Sequence, residues 1–155
     1  MMTAQADLPA GVKLLGPGEG HGLRVFAEEV RILLAGEETG GQYAMIETAA
    51  PPGGGPPLHV HRREDEAFYV REGQFEVRVG EETLCATPGT FLFAPRGIPH
   101  TYRNVGPERG LLIVAISPPG FERFFEELDA LCRDGPPPMD EVTWLAGRYE
   151  LTFLT

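Results

Sequence analysis

Lysine is nearly missing from this chain. Lys13 is the single one, and twelve arginines are scattered among 23 acidic residues, for a formal net charge of −10. Phosphate binding needs clustered cations, so this balance argues against a nucleic-acid partner, and an anionic membrane surface would repel the chain. Cysteine is scarce as well. Cys85 and Cys132 stand far apart with no CxxC pattern, and both read as small core residues. No apolar run approaches the ~20 residues of a membrane-spanning helix. The opening MMTAQADLPAG has neither the basic nor the apolar region of a signal peptide. A cytoplasmic protein is the expectation.

Turn formers are abundant instead, with 20 glycines and 15 prolines in 155 residues. One domain with many short strands uses turns at this rate. Residues 1–11 are small and polar and are expected to fray. Strand patterns then recur at LRVF, VRILLAG and QYAMIET, followed by the loop APPGGGPP. The GGG there is not read as a phosphate loop, because no helix pattern or Gly-Lys-Ser/Thr follows. Six further strand patterns come at intervals of about ten residues: EAFYV, QFEVRV, TLCAT, TFLFA, HTYRNV and LLIVAIS. In Phe75-Glu76-Val77-Arg78-Val79 the alternation of apolar and charged residues is complete. The pattern predicts an all-β fold, a sandwich or barrel. After Ser117-Pro118-Pro119-Gly120 the period changes. FERFFEELDALC reads as an amphipathic helix whose aromatic stripe is core packing, MDEVTWLAGRY as a second helix, and LTFLT as an extended tail.

The chemistry concentrates in LHVHRREDEAFYVREG. Side chains at i and i+2 of a strand share a face about 7 Å apart, so His59 and His61 stand side by side, as a shared metal ion requires. If EAFYV is a strand, Glu66, Phe68 and Val70 point inward, which makes Glu66 a third ligand. Glu64 and Asp65 are read as a solvated turn. His100, opening its strand after Pro95-Arg96-Gly97 and Pro99, is the fourth candidate. His21, in GEGHG, is read as a surface residue.

These residues resemble the cupin family. Its first motif is a glycine, five residues, His-x-His, three or four residues, Glu, six residues and Gly, matched by Gly53, His59, His61, Glu66 and Gly73. Its second is a glycine, five residues, Pro-x-Gly, two residues, His, three residues and Asn, matched by Gly89, Pro95, Gly97, His100 and Asn104. The resemblance implies an antiparallel jelly-roll β-barrel over residues 12–118, with helices and tail over 119–155 packed on it. It also implies one divalent ion inside the barrel mouth. Three imidazoles and one carboxylate suit Fe, Mn, Co, Ni or Zn, and four protein ligands leave an octahedral ion open to water, substrate or dioxygen.

EDEAFYVREG and PPGFERFFEEL are similar to bacterial quercetin dioxygenase-like cupins. That likeness implies a flavonol-like or other enolisable aromatic substrate, with Glu66 as both ligand and base. The alternatives are a non-oxidative isomerase or lyase acting on a small metabolite, and a binding protein without turnover. Met45, Phe68, Val70, Phe75, Tyr102 and Phe91 or Phe93 are candidate pocket residues. No inward Arg or Lys is evident, which favours a neutral aromatic ligand. A homodimer is expected, as is common among cupins.

Overall fold

The computed structural model describes residues 7–155; the first six residues of the segment expected to fray lie outside it. Eleven strands and two helices follow: β1 (His21–Val25), β2 (Glu28–Leu34), β3 (Ala44–Ala50), β4 (His59–His61), β5 (Asp65–Glu72), β6 (Phe75–Val79), β7 (Glu82–Ala86), β8 (Phe91–Ala94), β9 (His100–Asn104), β10 (Gly110–Ser117), α1 (Glu122–Cys132), α2 (Met139–Arg148) and β11 (Leu151–Phe153). Two antiparallel sheets result. One has the order β1-β2-β3-β10-β5-β8 and the other β11-β4-β9-β6-β7. No ladder runs from one sheet into the other among the described residues, so the closed barrel expected from the family resemblance is seen as two facing sheets.

Each strand's sequence fits its place. β10, between β3 and β5, is LLIVAI almost throughout and is buried along most of its length, as a central strand covered on both faces must be. In β6 the alternation holds: Phe75 and Val77 are buried while Glu76 and Arg78 are exposed. The inner faces of both sheets and one face of each helix form a shared core, with Val30, Ile46, Phe68 and Val114 from one sheet and Phe75, Val77 and Leu151 from the other.

The glycine-rich stretch before β4 closes a corner between the sheets. Gly53 donates its N–H to Asn104 O, and Asn104 N–H is donated to Gly54 O. At Gly55 the backbone runs so close to Tyr102 that an added Cβ would lie 1.9 Å from its carbonyl oxygen, so only glycine fits. The three glycines thus serve a close backbone contact with β9.

Helix α1 is fastened at its start by Glu122. This residue is 1% exposed, and its carboxylate accepts the N–H groups of Gly36 and Gly120. Phe121, Phe124 and Leu128 turn inward. In α2 the inward residues are Val142, Leu145 and Ala146. The extended tail is β11, which pairs with β4.

The cysteine expectation fails in part. Cys132 is half-buried and packs against the core, but Cys85 is exposed. It lies on β7, the outer strand of its sheet, where neighbouring Leu84 is exposed too. An apolar run on an edge strand does not by itself imply burial.

Candidate metal centre

His59 and His61 flank Val60 on β4, and all three are buried. His100 opens β9 directly opposite His59 in the strand register. Glu66 comes from the other sheet, where β5 packs between β8 and β10. As the strand phase predicts, Glu66, Phe68 and Val70 are inward and Tyr69 is exposed. One donor atom from each of His59, His61, Glu66 and His100 lies within 4.8 Å of all the others. Three imidazoles from one sheet and a carboxylate from its partner therefore converge.

The ring nitrogens are sorted by their outer contacts. His59 Nδ1 lies 2.7 Å from Pro57 O, and His100 Nδ1 lies 3.1 Å from Ile98 O. A carbonyl only accepts, so both Nδ1 atoms carry the proton and both Nε2 lone pairs are free for a ligand. His100 Nε2 then faces Glu66 Oε2 at 2.8 Å. Two acceptors at that distance need positive charge between or on them, either a proton on the ring or a metal cation. Glu66 Oε2 also lies 3.4 Å from His61 Nε2. The donor set fits one borderline divalent ion.

The protonation equilibria follow from burial and these neighbours. Burial and the nearby His100 lower the His59 pKa to about 4. Burial also pushes the Glu66 carboxyl upward, but the charge of His61 and the hydrogen bond and charge of His100 outweigh it, and the net shift is downward. For His100 the order is similar: desolvation lowers its pKa, and the Glu66 carboxylate more than offsets this, so it ends raised.

Glu64 is not the solvated residue expected of an acidic turn. It is 5% exposed, and its Oε2 lies 3.6 Å from His61 Nδ1. That is beyond hydrogen-bond distance, and neither atom has another partner among the described residues. Buried orphans of this kind are costly. The carboxylate stands where an outer partner of a metal-bound imidazole is normally found. Asp65 is nearer to expectation, half-buried and paired with Arg96 at the surface. His21 is exposed, as predicted.

Three of the four candidate donors, His59, His61 and Glu66, line a cavity of about 320 Å³, within the range of small-molecule sites. Phe68 and Tyr102 line it as predicted; Met45, Val70, Phe75, Phe91 and Phe93 do not. On β3 it is Ile46 and Thr48 that line the cavity, while half-buried Met45 takes the other phase. Phe75 is fully buried but packs edge-on against Tyr102 from behind. Val70 faces a separate small void. Phe91 and Phe93 are exposed. The aromatic stripe of the first helix does more than pack the core: Phe121, Phe124, Phe125 and Leu128 form a wall of the cavity, and the Phe121 ring meets His61 edge-on at 4.5 Å. Sequence reading also missed Glu28, a cavity carboxylate that accepts hydrogen bonds at Oε2 from Tyr102 Oη and Thr48 Oγ1, both at 2.9 Å.

Residues 47–116 match the family described as "Cupin domain". The chain carries a cupin domain. This cupin is 31% identical over 124 residues to quercetin 2,3-dioxygenase of Bacillus subtilis, a match covering 79% of this chain and 36% of that one. It is 35% identical over 60 residues to the polyketide synthase CurC of Streptomyces cyaneus, covering 39% of each. The match thus spans well under half the length of either curated relative. Among solved structures, an RmlC-like cupin from Shewanella frigidimarina superposes with a TM-score of 0.60 over 70% of this chain and 93% of that one, at 21% identity. That likeness concerns the fold alone. No helix among the described residues is long and apolar enough to cross a membrane.

Proposed function

We propose that this cupin is a metal-dependent dioxygenase acting on an enolisable aromatic of the flavonol kind. His59, His61, Glu66 and His100 would hold one divalent ion, Fe, Mn, Co, Ni or Zn. The observation that carries the reading is the convergence of these four donors at the wall of an apolar, aromatic-lined cavity, which His59, His61 and Glu66 line. The relative named quercetin 2,3-dioxygenase supports it. A bound ion would supply Lewis acidity to a substrate oxygen and, where redox-active, a route to dioxygen.

The chain's own residues have distinct tasks. Glu66 Oε2 faces His61 and His100, leaving Oε1 to take the proton of a substrate hydroxyl. Burial raises its proton affinity and the imidazoles lower it, with a net lowering that keeps the carboxylate ionised and ready to accept a proton. Phe68 and Phe121, beside His100 and His61, orient a flat ring and exclude water. The two facing sheets are read as halves of a jelly roll. Exposed Phe91 and Phe93 on the edge strand β8 offer a surface for a homodimer.

A second reading is non-oxidative chemistry, an isomerase or lyase step on a polyketide-like aromatic, which the similarity to CurC favours. Oxygen uptake separates the two. Metal-free protein is reloaded anaerobically with Fe, Mn, Co or Ni and mixed with flavonols and other enolisable phenols. Uptake that depends on both metal and phenol supports the dioxygenase. No uptake by any metal-loaded form, with the phenol shown to bind, favours the second reading.

A further inference from the structure

Among the described residues, Glu28 is the only carboxylate in the cavity wall outside the four candidate metal donors. It stands at the start of β2, in the six-stranded sheet, and reaches Tyr102 of the other sheet. Tyr102 follows His100 by two residues on the same face of β9, so it lies about 7 Å further along the strand. The Phe68 ring stands between them, 5.6 Å from His100 and 6.4 Å from Tyr102 between ring centroids. Glu28 therefore sits at a second pole of the same cavity, beside Tyr102, which lies two residues along β9 from His100.

Its hydrogen bonding is one-sided. Tyr102 Oη and Thr48 Oγ1 both donate to Oε2, and Oε1 accepts no hydrogen bond from any described residue. If Glu28 served only to satisfy the Tyr102 hydroxyl, a neutral acceptor would do so without burying a carboxylate in an apolar wall. Two fixed donors on one oxygen hold the carboxylate in a single orientation and leave the other oxygen to the cavity.

We infer that Glu28 recognises an O–H or N–H donor on the bound molecule, at the pole opposite the metal donors. This deepens the proposed function and rests on it for the aromatic character of the ligand. The substrate class narrows accordingly. It is a flat aromatic with an enolisable oxygen at one end, for the metal, and a free hydroxyl on a second ring at the other. A molecule bearing a carboxylate, a phosphate or a methyl ether at the second position meets Glu28 without a donor and is rejected.

The test uses zinc-loaded protein under nitrogen, where no turnover occurs. The probes are a flavonol with a hydroxyl on its pendant ring and the corresponding methyl ether, with binding followed by ligand absorbance. Wild type should bind the hydroxyl form about tenfold or more tightly, as expected for a hydrogen bond that the ether cannot donate. Glu28→Gln preserves a carbonyl oxygen for Tyr102 and Thr48 and can present its amide N–H₂ to the cavity. It should abolish or reverse that preference while keeping the melting temperature. Comparing the same two ligands on both proteins cancels the bulk of the methyl group. Equal binding of the two ligands by wild type, or an undiminished preference in Glu28→Gln, would overturn the assignment. If both ligands bind with the expected preference but no oxygen is consumed by any redox-active metal form, the dioxygenase reading falls and the role of Glu28 stands. If neither ligand binds, the cavity does not take flat phenols, and both fall.

Discussion

Glu66 and His100 meet across the space between the two sheets, carboxylate Oε2 to imidazole Nε2 at 2.8 Å. Neither partner of this contact belongs to the strand ladder of the other. With the His100 Nδ1 proton committed to Ile98, positive charge at this point joins the sheets.

Removal of one imidazole should therefore abolish metal retention. For His61→Ala and His100→Ala we expect bound metal to fall to near zero by elemental analysis. The metal-dependent rise in stability should vanish with it, a rise of about 2.7 kcal/mol when free metal stands a hundredfold above its dissociation constant. Unchanged metal content in both variants would eliminate the site.

Glu66→Gln should separate binding from chemistry. The amide oxygen still ligates, while the base is lost, so metal content should fall less than turnover. Turnover should drop by roughly a hundredfold to ten-thousandfold if the carboxylate accepts the substrate proton. Parallel loss of metal and turnover would make Glu66 a ligand only.

Glu64 should act through His61. Closing the 3.6 Å gap to Nδ1 would orient the ring and strengthen its Nε2 as a donor. Glu64→Gln should weaken metal affinity by about tenfold to a hundredfold, measured by competition with a coloured chelator. An unaltered affinity would show that the carboxylate has no part in holding the ring.

Acid should destabilise the metal-free protein in a defined window. The His59 pKa is lowered from 6.5 to about 4 in the fold, so between those values the unfolded chain binds the extra proton. Stability from this residue is complete above the window and is lost as pH falls through it, by roughly 3 kcal/mol at most. His100, raised by Glu66, acts in the opposite sense: its contribution is lost as pH rises through its folded value. Urea unfolding at stepped pH measures the sum, and His59→Gln should reduce the acid-side slope. If wild type and variant give identical slopes, His59 is not held neutral in the fold.

The strands and the clustering of the four candidate donors were legible because their signals are local. Alternation in β6, the continuous apolar run of β10 and the His-x-His pair depend only on neighbours a few residues away. The misses share another origin. Glu28 reads as an acid beside a turn, and only the approach of Tyr102 from the other sheet makes it a cavity residue. Glu64 lies in a run of acids whose composition says solvent, yet the β4–β5 connection turns its side chain back on His61. Met45 was a phase error, since a shift of one residue exchanges the two faces of a strand.

Strand β4 is only three residues long, and its ladder to β9 consists of the single pair His59–His100. Its main support is β11, which aligns Leu151 with His61 and Phe153 with His59. These partners are among the most distant in the sequence, and contacts of that kind form late because a long chain segment must first be closed into a loop. The placement of both histidines on β4 thus depends on the tail of the chain returning to a strand about ninety residues earlier.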